Sequence, residues 1–307
     1  MERIVDGILF EGKYVPDAWE IRTWRANGVM ERSARPVVAW EEIGPGRKPM
    51  EWDEYIAQYD YDPAKQARLE AERLLELEEK RVRALKKSAQ RAKQACRRAI
   101  IEAGFDELMT LTYREDQRDR GLCKKHFKEW VRRMKRALGG RFHYCAGFER
   151  QGDPNKPEGR RAMHVHLATH KLPQHVEYKG VRIKAWELGT KVWRSIVGAD
   201  NGLCFVGGKT RFGTPRRGQM SLAKMASYVS KYIMKDYEDS PAGSNRYSKS
   251  DDIEVSKPEV MHLTNCSFLD LMILTFEQCD GDVVLSHRVG HFKDSMWLVT
   301  ESSAFRH

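Results

Sequence analysis

Between about Pro63 and Ala103 the chain consists almost wholly of Ala, Glu, Lys, Arg, Leu and Gln. These residues lose little side-chain freedom in a helix, so the segment is expected to be one long helix. Pro63 suits its first turn, where a backbone N–H would be unpaired anyway. Apolar or small residues fall at 82, 85, 89, 92, 96 and 99, three and four apart, and give the helix one narrow packing face. The first half mixes charge signs. The second is basic, through Lys86, Lys87, Arg91, Lys93, Arg97 and Arg98. The stripe can pair two copies as a coiled-coil dimer or lie along its own domain, and its alanines suit the second arrangement at least as well.

An alternating order of elements follows. A strand is expected over 107–114, an amphipathic helix over 123–140 stopped by Gly139-Gly140, and strands over 141–150 and 162–169. A helix near 185–197, a strand near 203–206 and a helix from about Ser221 to Tyr237 complete the run. The order β-α-β-β-α-β-α predicts an α+β fold, ferredoxin- or RRM-like: a central antiparallel sheet with helices on one face, preceded by the long helix. The expected division is an arm of unassigned fold (1–60), the long charged helix (61–104), the α+β domain (105–240) and a C-terminal extension (241–307). The arm holds Trp19, Trp24, Trp40 and Trp52 as candidate packing residues. The extension holds expected strands at 283–289 and 295–300 and a helix at 267–276.

The net charge is +10 and the pI about 9.2, which favours a polyanionic partner, with nucleic acid ahead of an anionic membrane surface. The longest apolar run, FLDLMILTF, is about half of what a membrane-spanning helix needs. No signal peptide is read at the N-terminus. Six scattered cysteines without a C-x-x-C pair are expected to be reduced thiols in a cytoplasmic protein.

Chemistry concentrates in two places. In MHVHLA, His164 and His166 stand two apart on a predicted strand, so both imidazoles face the same way while Val165 and Leu167 face the other. If strands 141–150 and 162–169 pair as a hairpin, Glu149 lies beside them. Two imidazoles and a carboxylate then suit Mg²⁺, Mn²⁺ or another divalent cation. His170, His143 and His175 compete for the third position. The second place is MASYVSKYIMK. At 100° per residue, with Tyr228 at zero, Lys231 falls near −60°, Tyr232 near +40° and Lys235 near −20°, each figure approximate. Leu222, Met225, Ala226, Val229 and Ile233 fill the adjoining sector, so an apolar stripe would carry two phenols and two ammonium groups along its edge. Ammonium groups and a cation favour phenolate, and phenolate is a nucleophile for phosphodiesters. Lys124, Lys128, Arg132, Arg160, Arg161 and Arg211, interleaved with Phe127, Trp130 and Phe212, are candidate DNA-binding residues. GLCFVGGKT only superficially matches a phosphate-cradling loop, because Leu203 stands where its first glycine is required.

LMTLTYR (108–114), HVHLA (164–168) and YVSKYIMK (228–235), taken in order, resemble the three motifs of the HUH endonuclease superfamily of rolling-circle replication initiators. The last resembles the two-tyrosine form of the A-protein type initiators of small single-stranded DNA phages. RAKQACRRAIIEAGFDE and NRYSKS look like flanks of phage and plasmid initiators, so the resemblance covers roughly 88–260. It implies metal-dependent nicking and joining of single-stranded DNA at a replication origin. Carried over by position, His164, His166 and Glu149 would hold the metal and Tyr228 and Tyr232 would be nucleophiles. Lys231 and Lys235 would steer the phosphate and lower the phenol pKa. One tyrosine would form a 5′-phosphotyrosine and free a 3′-OH, and the other would cut the regenerated origin. No helicase segment is recognised, so host helicase and polymerase are implied partners in a bacterial cytoplasm. A transposase or relaxase shares this chemistry, and a non-nicking DNA-binding regulator would share the fold. A 2-His-1-carboxylate iron oxygenase would leave the basic helices unexplained.

Overall fold

The computed structural model describes residues 1–46, 63–152, 159–207, 220–235, 245–279, 281, 283–290 and 295–303. The chain divides into two compact units. One comprises Met1–Arg83 with Lys257–Ala304, the other Ala84–Ser256 with Phe305–His307. The fold is α+β with antiparallel sheets, and five α-helices lie among the described residues. The first helix, α1 (Pro63–Glu102), has 40 residues as its composition predicts. No helix among the described residues is long and apolar enough to cross a membrane.

In the first unit, β1 (Glu2–Val5), β2 (Ile8–Ala26) and β3 (Val29–Pro45) join β11 (Glu259–Leu263), β12 (Val283–Gly290) and β13 (Ser295–Glu301) in one sheet. Asn27-Gly28 turns β2 into β3 with φ of 45° and 73°, a two-residue turn whose twist matches that of the strands it joins. The two chain ends, read as an arm and a separate extension, pair directly: β13 with β3, and β11 with β2. Trp19, Ile21, Met30, Leu271, Met296 and Leu298 form the core, closed by helix α5 (Phe268–Glu277). The Trp19 indole donates to the Cys266 carbonyl at 2.7 Å. Trp24 is also buried, whereas Trp40 lies under the Arg3 guanidinium, 3.9 Å from its ring centre. Trp52 lies outside the described residues.

The second unit is built on a five-stranded sheet in the order β10-β5-β6-β4-β9. Its strands are β4 (Glu107–Thr112), β5 (Tyr144–Arg150), β6 (Met163–Thr169), β9 (Leu203–Val206) and β10 (Tyr247–Lys249). Every pairing is antiparallel. The histidine strand β6 is central, between β4 and β5. Strand alternation sends Met109, Leu111, Phe148, Val165 and Leu167 to one face, where α2 (Arg120–Ala137) and α3 (Ala185–Val197) cover them with Phe127, Trp130, Leu188 and Trp193. Each such buried side chain contributes about 1.5–3 kcal/mol. Asp119 starts α2 by accepting hydrogen bonds from the Gly121 and Leu122 N–H groups.

The opposite sheet face is covered as well, so the helices are not confined to one face. Cys96 of α1 lies against Cys145 of β5, with 3.6 Å between the sulfurs, and α4 (Leu222–Lys231) packs on Gly147. β6 is thus covered on both faces, by α2 on one and α4 on the other. A second hairpin, β7 (His175–Tyr178) with β8 (Val181–Lys184), adds to the expected order of elements. All six cysteines are thiols, as their spacing suggests.

Candidate active site

The ladder of the second sheet builds the site. Glu149 on β5 and Thr112 on β4 flank His164, while Gly147 and Thr110 flank His166. Period-two alternation puts Glu149, His164, His166 and Thr110 on the face opposite the α2/α3 core. The ligand atoms of Glu149, His164 and His166 all lie within 4.8 Å of one another, the one such set of three metal-ligating side chains among the described residues. Of the competing histidines, His143 instead pairs with Asp252 at 2.6 Å, and His170 stacks edge-on against Phe105.

His166 is held from both ends of its ring. Its Nε2 lies 2.8 Å from Glu149 Oε2 and its Nδ1 3.1 Å from Thr110 Oγ1. A hydroxyl both donates and accepts. Thr110 can therefore donate to Nδ1 when Nε2–H faces the carboxylate, or accept from Nδ1–H when Nε2 is free to coordinate. The donor set, two imidazoles and a carboxylate converging on one point, fits a divalent cation.

Lys235 donates to the other Glu149 oxygen at 2.7 Å. Burial pushes the Glu149 carboxyl up, but the hydrogen bonds from His166 and Lys235 outweigh it and hold the pKa below the ordinary value. Burial, and after it the neighbouring His166, press His164 from 6.5 down to about 4. The unfolded chain therefore binds this proton near pH 6.5, whereas the folded chain does not until about pH 4. Metal-free protein is expected to lose up to about 3 kcal/mol of stability as pH falls through that window. Urea midpoints measured in EDTA from pH 7 to 4 test this, and His164→Gln should flatten the profile.

The tyrosine helix sits on this face because Gly147 allows it. A Cβ at Gly147 would lie 2.7 Å from the Val229 carbonyl oxygen, so only glycine permits this approach of helix to strand. Met225, Ala226, Val229 and Ile233 are buried, as the angular count predicts. The helix then departs from that count. It ends at Lys231 and tightens into a 3₁₀ turn over Tyr232–Met234.

The two phenols consequently differ. The Tyr232 ring stacks on the His166 imidazole, with centroids 4.3 Å apart and an interplanar angle of 15°. It is only 8% exposed, and burial, with Tyr228 as neighbour, raises its phenol pKa. Tyr228 meets His166 edge-on at 5.5 Å and Tyr232 edge-on at 5.3 Å, and is half-buried. Lys231 holds its ammonium 4.5 and 4.8 Å from the centres of the two rings. Lys231 thus lies over the phenols, whereas Lys235 is engaged with the carboxylate.

The candidate DNA-binding cations are placed unevenly. Lys124 donates to the Asn245 carbonyl at 2.6 Å, and burial lowers its pKa. Arg160 donates to the carbonyls of Arg114 and Tyr113 at 2.7 and 2.6 Å. Arg132 pairs with Glu129 on the α2 surface, where Lys128 is exposed. The Arg161 backbone N–H is fixed by Asp116 at 2.8 Å. Arg211 lies outside the described residues. Sequence reasoning missed the roles of Thr110 and Gly147. Period two alone could have put Thr110 opposite His166, once β4 was paired with β6.

No curated protein and no solved structure matches the chain. Residues 106–237, less than half of the chain, match the family of the replication-associated protein ORF2. The matched segment runs from just before β4 to just past the tyrosine turn. It holds Thr110, Glu149, both histidines, both tyrosines and both lysines, so the part of the chain similar to replication-associated proteins is the part that builds this site.

Proposed function

We propose that the chain is a rolling-circle replication initiator endonuclease that nicks and rejoins single-stranded origin DNA by tyrosine transesterification. The observation that carries this is the packing of two tyrosines against the imidazole of a two-histidine, one-carboxylate set, within the segment similar to replication-associated proteins. Mg²⁺ or Mn²⁺ held by Glu149, His164 and His166 would polarise the scissile phosphate.

The protein's own groups supply the rest. The Tyr228 oxygen bonds to phosphorus as the bond from phosphorus to the 3′-oxygen breaks. The phenol gives up its proton, and the departing 3′-oxygen takes one up as a free hydroxyl. The phosphodiester energy is kept in the 5′-phosphotyrosine, so a 3′-OH can reverse the step without a nucleotide cofactor. Lys231, above both rings, offsets the charge of a phenolate and of the incoming phosphate. Lys235 holds the Glu149 carboxylate ionised and oriented. The 3′-OH would prime a host polymerase, with a host helicase opening the duplex, in a bacterial cytoplasm.

The test is a covalent adduct. Wild-type protein with Mn²⁺ and a single-stranded DNA library should give a species that survives detergent and maps to a tyrosine in 228–232. The Tyr228→Phe, Tyr232→Phe double variant should give none. Retained DNA binding without any wild-type adduct would instead assign a DNA-binding regulator.

A further inference from the structure

The hairpin β7–β8 stands apart from the five-stranded sheet. Lys179-Gly180 forms its turn with φ of 54° and 76°, the two-residue geometry that keeps short strands paired. Alternation gives the ribbon two unlike faces. Val176, Tyr178 and Ile183 pack towards the α2/α3 core. His175 opposite Lys184 and Glu177 opposite Arg182 make the other face. Lys179, Arg182 and Lys184 are exposed, and neither Arg182 nor Lys184 has an ion-pair partner among the described residues.

The next turn carries an aromatic. Trp186, at the start of α3, is 49% exposed, while Trp130 and Trp193 are fully buried. The Lys184 ammonium stands 6.0 Å from its ring centre. A half-exposed indole with one ammonium over its ring thus stands next to two further exposed cations, with Glu177 the one acid on the same face. Lys124 and Arg160, by contrast, are tied to carbonyls of the protein itself.

We infer that this outer face and Trp186 hold single-stranded DNA, with phosphates on Lys179, Arg182 and Lys184 and one base stacked on the indole. The inference rests on the DNA-processing reading above and adds a contact surface to it. A single strand is the occupant because a half-exposed indole can take an unpaired base once Lys184 turns to a phosphate, whereas duplex bases are already stacked on one another.

Stacking and charge have separable signatures. Stacking is indifferent to salt, whereas each phosphate contact on a single strand contributes about 0.7 to the slope of log K against log salt. Full-length protein in EDTA is titrated into a fluorescent 20-nucleotide oligo-dT, read by anisotropy at several salt concentrations. Trp186→Ala should weaken binding about 5- to 150-fold at every salt concentration with the slope unchanged, and Trp186→Phe should restore most of it. Arg182→Gln with Lys184→Gln should lower the slope by about 1.4. Binding by Trp186→Ala within twofold of wild type overturns the inference. So does an unchanged slope in the double variant, or a wild-type preference for the same length of duplex. Adduct formation with Mn²⁺ at saturating DNA reports the nicking reading separately, because it does not depend on affinity.

Discussion

Tyr228→Phe is expected to abolish the first covalent cleavage, more than about a thousandfold below wild type, while Tyr232→Phe keeps it within about tenfold. Removing a nucleophile removes the pathway itself, so the loss is limited only by background. Tyr232 lies flat on His166 and almost without solvent contact, and burial disfavours its phenolate. Tyr228 is the more accessible phenol, edge-on to the same imidazole. On the proposed reading Tyr232 would be held in reserve, and its use in a second cleavage would require the 3₁₀ turn Tyr232–Met234 to rearrange. Mass-spectrometric mapping of the adduct after one turnover decides this: adduct on Tyr232 of the wild-type protein would overturn the order. Tyr232→Phe should retain the first cut but fail in the second transfer, seen as nicked product that is not recircularised.

Gly147→Ala is expected to lower nicking about a hundredfold while the protein stays folded. The added methyl would meet the Val229 carbonyl at 2.7 Å, and neither backbone can yield without moving its element. Overpacking of this kind costs about 1–3 kcal/mol of stability. The larger effect is geometric. Displacing α4 carries Tyr228 away from His166, and a misplacement of about 1 Å costs on the order of 10² in rate. Divalent-cation binding by calorimetry should stay near wild type, because Glu149, His164 and His166 sit on the sheet and not on the helix. Wild-type nicking by Gly147→Ala would show that the close approach is not what positions the tyrosines.

Much of this site was legible because it depends on two simple periods. Alternation along β5 and β6 foretold that Glu149 would reach the two histidines, and the 3.6-residue period foretold which face of α4 is buried. The non-equivalence of Tyr228 and Tyr232 was half legible: the angular count sets Tyr232 nearer the apolar sector, but nothing in Tyr232-Ile233-Met234 announces the 3₁₀ turn. The unassigned fold of the N-terminal residues has a different cause. β2 and β3 pair with each other across Asn27-Gly28, a local signal that was passed over, but their outer partners β11 and β13 lie more than two hundred residues away, where no local pattern encodes the pairing. The hairpin β7–β8 was within reach of a period-two reading, with Lys-Gly between alternating runs, but was hidden beside the stronger histidine signal.

The register of Glu149 against His164 has one more consequence. Fourteen residues separate the two in the chain, yet the Gln151 N–H already bonds to the Ala162 carbonyl at 3.0 Å. The ladder is therefore closed before the intervening stretch begins. The spacing of the three candidate ligands is copied from interstrand distances and owes nothing to how many residues bridge the strands. A sequence pattern that counts residues from the carboxylate to the histidines therefore counts a length that the ladder does not fix.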